Sequence, residues 1–203
     1  MRVCVVGQGP SAEGMGREID ACDVVVRIKN FWEWGAQDSG EKCDVWAQYG
    51  GIDLPSGVAA REHWFTICPH QLESHGKAAD LISSFNRNAA GHSIRWLDDE
   101  RWMQARAYLL SHPTTGFVCV LMALQTWPDA ELHVHGFDSM QPDGPNYYDA
   151  RAPVDHKGVV WPHDMAGEKR AIAEIYGGRF LGNPTSATLV WPHPPAGIRE
   201  KQS

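Results

Sequence analysis

Three short stretches of this sequence hold residues suited to receiving an anion or a nucleotide. The first is His112-Pro113-Thr114-Thr115-Gly116, a small, hydroxylated loop that leads into the almost wholly apolar run Phe117 to Gln125. Pro113 fits just ahead of a helix and a threonine can cap one, so the loop reads as a helix start. The free N–H groups and the dipole at such a start attract negative charge. The second stretch is Gly7-Gln8-Gly9-Pro10-Ser11, directly after the valine-rich run Arg2 to Val6. Strand, glycine turn, Ser11 as a cap and a polar helix form the opening of a nucleotide-binding α/β unit. Glycine there lets a ligand approach the backbone with no side chain in the way. The dinucleotide fingerprint GxGxxG is not met, because its sixth position is Ala12. The third is Asn30, just beyond the run Asp23 to Ile28, where open α/β sheets bind ligands.

Other chemistry is weaker or absent. His133 and His135 alternate on one strand face, but no third ligand stands at a recognisable spacing, so they read as structural and no metal is expected. Asp138-Ser139-Met140 is not a DxD metal motif. The five cysteines form no CxxC pair, and Cys4 and Cys119 sit in apolar runs as small core residues. Such a set favours a reducing compartment. A formal net charge of −7 argues against a nucleic-acid partner, which needs a basic face. No run of 18 apolar residues exists to span a membrane, and the N-terminal run is broken too soon for a signal peptide. The expected location is cytoplasmic, with peripheral attachment at an inner membrane left open.

The elements that must position these residues follow from pattern. At 203 residues and 43% apolar content the chain is long enough for one domain with a real core. Strands are expected at Arg2 to Val6, Asp23 to Ile28, Cys43 to Gln48, Trp64 to Cys68, Ser93 to Leu97, Glu131 to Phe137 and, last and short, Arg179 to Leu181. Continuous apolar strands suit a parallel sheet covered on both faces. Helices are expected at Lys77 to Asn86, Asp99 to Leu110, Phe117 to Gln125 and Asp164 to Tyr176. Trp127-Pro128-Asp129 stops the third of these. Gln141 to Gly158 reads as a long polar loop that holds Tyr147 and Tyr148, and long loops inside compact domains are usually functional or disordered. The fold class is α/β: a single three-layer α/β/α Rossmann-like domain with a mostly parallel central sheet. Residues 1–191 form the domain and 192–203 a tail.

Four pieces in this order resemble the sialyltransferases. Val5-Val6-Gly7-Gln8-Gly9-Pro10-Ser11, with Ile19-Asp20, Asp23-Val24-Val25-Val26-Arg27 and Asn30, is similar to the large sialyl motif of glycosyltransferase family 29 and to the start of the bacterial family 42 enzymes. Pro113-Thr114-Thr115-Gly116 through His135-Gly136-Phe137 resembles the small sialyl motif. Tyr147-Tyr148 stands in the place of the short aromatic motif. His163 followed by Glu168 has the spacing of the very small motif. Gln8 stands where these families usually carry asparagine, and the cysteine pair that links the two larger motifs in the animal enzymes is not evident.

The resemblance implies a GT-A-like variant of the fold and inverting, metal-independent transfer of a sialic-acid-like sugar from a CMP donor to a glycan hydroxyl. The partners implied are a CMP-activated acidic sugar and a glycan acceptor; no cofactor is implied. His163 is then the candidate base, since a histidine titrates near neutrality and a helix start keeps it neutral. Backbone N–H groups at Gly9 and Ser11, the Thr114-Thr115-Gly116 helix start and the phenols of Tyr147 and Tyr148 would receive the departing phosphate. Gln8 and Asn30 would hydrogen-bond the nucleotide or the sugar, Thr115 the sugar carboxylate. Glu168, about one turn beyond His163, would orient it or a loop. A CMP-Kdo-type transferase is an alternative, because both donors share the CMP handle and a carboxylate. A non-catalytic nucleotide-binding module is another, and a dinucleotide-dependent oxidoreductase is disfavoured by the missing third glycine. Acceptor, linkage and oligomeric state stay open.

Overall fold

A computed structural model gives the fold, and it describes residues 1–34, 39–49, 57–67, 82–83, 86–87, 92–137, 164–180, 183–184 and 188–190. Its strands are β1 (Arg2–Val6), β2 (Val24–Ile28), β3 (Val45–Gln48), β4 (Glu62–Phe65), β5 (Ser93–Trp96), β6 (Glu131–His135), β7 (Arg179–Phe180), β8 (Asn183–Pro184) and β9 (Thr188–Val190). Its α-helices are α1 (Gly16–Asp20), α2 (Asp99–Leu109), α3 (Thr115–Thr126) and α4 (Met165–Tyr176). Short 3-10 turns occupy Pro10–Ala12 and Phe31–Trp34.

Seven strands form one sheet in the order β5-β4-β3-β2-β1-β6-β9, and every pairing in it is parallel. The chain builds outward from β1 to β5, then returns to place β6 on the other side of β1. The strand order therefore reverses between β1 and β6, and open α/β sheets bind their ligands at the carboxyl end of such a switch point.

Side chains alternate across the sheet as the two-residue period requires. Val3 and Val5 share a core with Val26, Val45, Ala47, Leu132 and Val134 under helices α2, α3 and α4. Cys4 and Val6 point the other way and pack with Val25, Ile19 of α1 and Cys22. Trp46 continues that second face with Phe31 and Ala60. The result is a three-layer α/β/α domain with a wholly parallel main sheet, as the continuous apolar strands suggest.

Helix α3 is the central element of its layer: Phe117 to Leu124 are all buried. Such a helix must lie inside the protein along its length. Its start is capped by Thr114, whose Oγ1 accepts the Phe117 N–H at 3.1 Å. It ends at Trp127, ahead of Pro128. Asp98 caps α2 in the same way, accepting the Arg101 N–H at 2.8 Å.

Two expectations need correction. Arg179–Phe180 does not join the main sheet; it pairs antiparallel with Asn183–Pro184, and Thr188–Val190 takes the sheet edge beside β6. Ser11 caps no helix: it lies inside the Pro10–Ala12 turn, and α1 has Met15 at its cap position with no side-chain cap.

Arg27 is fully buried on β2. Its Nη2 donates to the Ser39 carbonyl at 2.7 Å and its Nε to the Lys42 carbonyl at 2.9 Å. Asp20 lies 3.5 Å from the same guanidinium and also accepts the N–H groups of Glu41 and Lys42. Burial pulls the Arg27 pKa down from its ordinary value, with Cys43 and Asp20 opposing it. The Asp20 and Arg27 parts of the first motif therefore fasten the 39–42 segment to the sheet.

Candidate active site

The β1 and β6 ends interlock beyond the sheet. Gly7 N–H donates to the His135 carbonyl and Gly9 N–H to the Gly136 carbonyl, each at 2.7 Å. Gly136 N–H donates back to Ser11 Oγ at 3.1 Å. A Cβ on Gly7 would stand 2.3 Å from the Gly136 oxygen, and one on Gly136 would stand 2.7 Å from the Gly7 oxygen. Gly136 also has φ +71, a region that favours glycine. Only two glycines let these loops cross so closely. The Gly9 amide and the Ser11 hydroxyl are thus engaged in holding the switch point together.

Phe137 joins this crossing to helix α3. Its buried ring would stand 3.2 Å from a Cβ on Gly7 and 3.3 Å from one on Gly116. The glycine turn and the first turn of α3 thus sit on either side of one aromatic ring. Within that turn, Thr114 caps the Phe117 amide and the Val118 amide reaches the Thr114 carbonyl. The amides of Thr115 and Gly116 have no hydrogen-bond partner among the described residues. Two uncommitted N–H groups and the positive end of a twelve-residue helix are what an anion needs.

Glu168, on α4, controls this turn. It is fully buried, and it accepts the Thr114 amide on Oε1 at 2.5 Å and the Thr114 hydroxyl on Oε2 at 2.7 Å. Burial pushes its pKa up to about 7, against the lowering effect of those two hydrogen bonds. The Thr114 hydroxyl, donating to Glu168 and accepting from Phe117, is committed to structure. A second tie fixes the start of α4 nearby: the Asp164 amide donates to Ser111 Oγ at 2.9 Å, while Asp164 Oδ1 caps the Gly167 amide at 2.8 Å.

On the other side of β1, Gln8 reaches the end of β2. Its Nε2 lies 3.4 Å from Asn30 Oδ1 and 3.5 Å from the Ile28 carbonyl. The structure thus brings Gly7, Gln8, Gly9, Ser11 and Asn30 to one strand end, with Thr114, Thr115, Gly116 and Glu168 beside it. His163, Tyr147 and Tyr148 lie outside the described residues, although Asp164 places the chain directly after His163 against Ser111. Among the described residues no group of three or more His, Cys, Asp or Glu is placed to hold a metal ion. His133 Nε2 pairs with Glu131 at 2.6 Å.

No protein-family model matches this sequence, and no curated protein matches it by sequence. Solved structures do match. A mammalian sialyltransferase crystallised with Gal-beta-1-3GalNAc-ortho-nitrophenol superposes with a TM-score of 0.59 at 16% identity, over 93% of this chain and 68% of that one. The sialyltransferase CstII from Campylobacter jejuni, in complex with the substrate analogue CMP-3FNeuAc, superposes with a TM-score of 0.56 at 13% identity, over 98% of this chain and 84% of that one. The chain has the sialyltransferase fold. Both the animal and the bacterial forms of that fold match, as the motif resemblance does.

Sequence reasoning did not single out three residues that shape this region. Phe137 carries no chemical signal, and its role depends on two glycines far apart in the chain. Ser111 looks like any loop serine until Asp164 is placed. Lys29 is the third: it has φ 54, which few non-glycine residues adopt, and no turn residue announces it. No helix of the described residues is long and apolar enough to cross a membrane.

Proposed function

We propose that this protein is a glycosyltransferase that moves a sialic-acid-like sugar from a CMP donor to a hydroxyl of a glycan, with inversion and without a metal. The observation that carries the reading is the uncommitted Thr115-Gly116 helix start beside the β1–β6 switch point of a sialyltransferase fold. The bond to be broken joins the anomeric carbon to a phosphate oxygen, so negative charge grows on the phosphate as it leaves. Fixed N–H dipoles aimed at that charge stabilise the transition state without reorganising. The amides of Thr115 and Gly116 supply them, and the phenols of Tyr147 and Tyr148 add donors.

The acceptor oxygen attacks the anomeric carbon from the opposite face, and its proton goes to the imidazole of His163. A histidine ahead of a helix is kept neutral by the dipole, as a base requires. Gln8 and Asn30 hold the nucleotide or the sugar, and the Thr115 hydroxyl takes the sugar carboxylate. Glu168 touches no substrate in this scheme: it positions Thr114, and through Thr114 the first turn of α3. The reaction takes place in the cytoplasm or at the inner face of a membrane.

The test is turnover of CMP-sialic acid and of CMP-Kdo by the wild type and by His163→Ala, with CMP affinity measured alongside. The reading expects release of CMP from one of the two donors in the presence of a glycan acceptor. It expects His163→Ala to abolish transfer while CMP affinity stays within a few-fold. Full activity in that variant would remove His163 as the base.

A further inference from the structure

We infer that Lys29 is the cationic contact for an anionic group of the donor, an inference that rests on the CMP-donor reading above. Lys29 follows directly on β2, at the same sheet end as the glycine turn. Gln8 bridges the two residues that flank it, Ile28 and Asn30. Its backbone is clamped on both sides: the Lys29 amide donates to the Ala47 carbonyl at 2.8 Å, and its carbonyl accepts Trp46 Nε1 at 2.6 Å. The clamp holds a lysine at φ 54, a conformation that costs a non-glycine residue energy and persists only where its surroundings impose it.

The side chain is aimed by that conformation. Nζ lies 5.2 Å from the centre of the Tyr49 ring, and Tyr49 follows β3 by one residue. The ammonium therefore stands at the carboxyl ends of β2 and β3. Among the described residues no carboxylate lies within ion-pair distance of it, although the chain as a whole carries a net charge of −7. An ammonium half-removed from water, with only a ring face beside it among the described residues, is short of a counter-charge. Burial lowers its pKa from the usual lysine value, with only the Cys119 thiol opposing that effect. A bound anion would supply the missing partner and favour the charged form.

The donor carries two such anions, the phosphate and the sugar carboxylate, and both offer the same chemistry to an ammonium. Titration calorimetry separates them, with cytidine, CMP and CMP-3FNeuAc as probes. The proteins are the wild type, Lys29→Met and Lys29→Arg, with Lys29→Asn as the neutral variant that best suits a left-handed φ. The expected result is a loss of about tenfold or more in CMP-3FNeuAc affinity for the neutral variants, near-wild-type binding by Lys29→Arg, and cytidine binding unchanged throughout. A matching loss with CMP makes the phosphate the partner; a loss confined to CMP-3FNeuAc makes it the carboxylate. If the wild type binds CMP and a folded neutral variant binds both nucleotides equally well, the inference is wrong while the CMP reading stands. If the wild type binds no cytidine nucleotide, that reading fails and takes this inference with it.

Discussion

Glu168 holds Thr114 by both carboxyl oxygens, across a separation of 54 residues, and so ties helix α4 to the first turn of α3. The hydrogen bonds fix the direction in which the Thr115 and Gly116 amides point. Replacing Glu168 by alanine leaves the Thr114 donors without their buried partner and opens a cavity. The expected cost is about 3 kcal/mol of stability in chemical unfolding. Glu168→Gln keeps one acceptor and loses less.

The pH dependence of that pair has a definite sign. The folded pKa of Glu168 is pushed up to about 7, whereas an unfolded glutamate titrates near about 4.3. Between those values the folded state holds more protons than the unfolded state, so this group's contribution falls as pH rises. The stability of Glu168→Gln relative to the wild type should therefore climb from about pH 4 to about pH 7 and then level off. A difference that is flat with pH would mean that Glu168 is ionised throughout.

His63 gives the opposite slope. It is fully buried, edge-on to Trp46 and stacked on His92 at 4.6 Å between ring centres. Burial, with a smaller effect from His92, lowers its pKa to about 4. An unfolded histidine takes its proton near about 6.5, so the stability His63 contributes is present above that pH and lost as pH falls toward 4. The stability of the wild type relative to His63→Phe should therefore drop over that range, whatever Glu168 adds to both proteins. Equal acid sensitivity in both proteins would rule out His63 as its source.

The Gly7–Gly136 crossing should tolerate no side chain. Gly7→Ala drives a methyl to 2.3 Å from a backbone oxygen, and Gly136→Ala adds an unfavourable φ to a similar contact. Each should destabilise the fold by about 2 kcal/mol or more, because backbone cannot swing aside as a side chain can. Gly14→Ala is the comparison: its φ is also positive, but nothing stands within 4 Å of its Cβ, so strain acts there without the clash. A Gly7→Ala protein as stable as the wild type would mean that the two loops do not cross as closely as described.

Much of this was legible in the sequence where the signal was local. The valine-rich runs of β1 and β2 read as strands buried on both faces, and the Thr114-Thr115 pair offered a cap for a helix that Trp127-Pro128 ends. Contacts between distant residues were not legible. No local rule links Gly7 to Gly136, Ser111 to Asp164, or Thr114 to Glu168. The edge strand Thr188–Val190 is three residues long and reads as a strand only once β6 is beside it. Arg179–Phe180 has the look of a strand, but its partner is Asn183–Pro184 and not the main sheet. Of the proposed donor contacts, Gln8, Asn30, Thr115 and Gly116 stand out in the sequence by residue type, whereas Lys29 depends on a backbone angle that its side chain does not betray.

The central claim is that the β1–β6 switch point and the start of α3 bind a cytidine monophosphate. Thermal melts of the wild type with CMP, UDP, GDP and NAD, against no ligand, test it most directly. A ligand at about 100 times its Kd stabilises a fold by about 2.7 kcal/mol, a shift that is readily measured. The account predicts an upward shift with CMP and none with the others. A shift with another nucleotide alone, or with none of them, would contradict it.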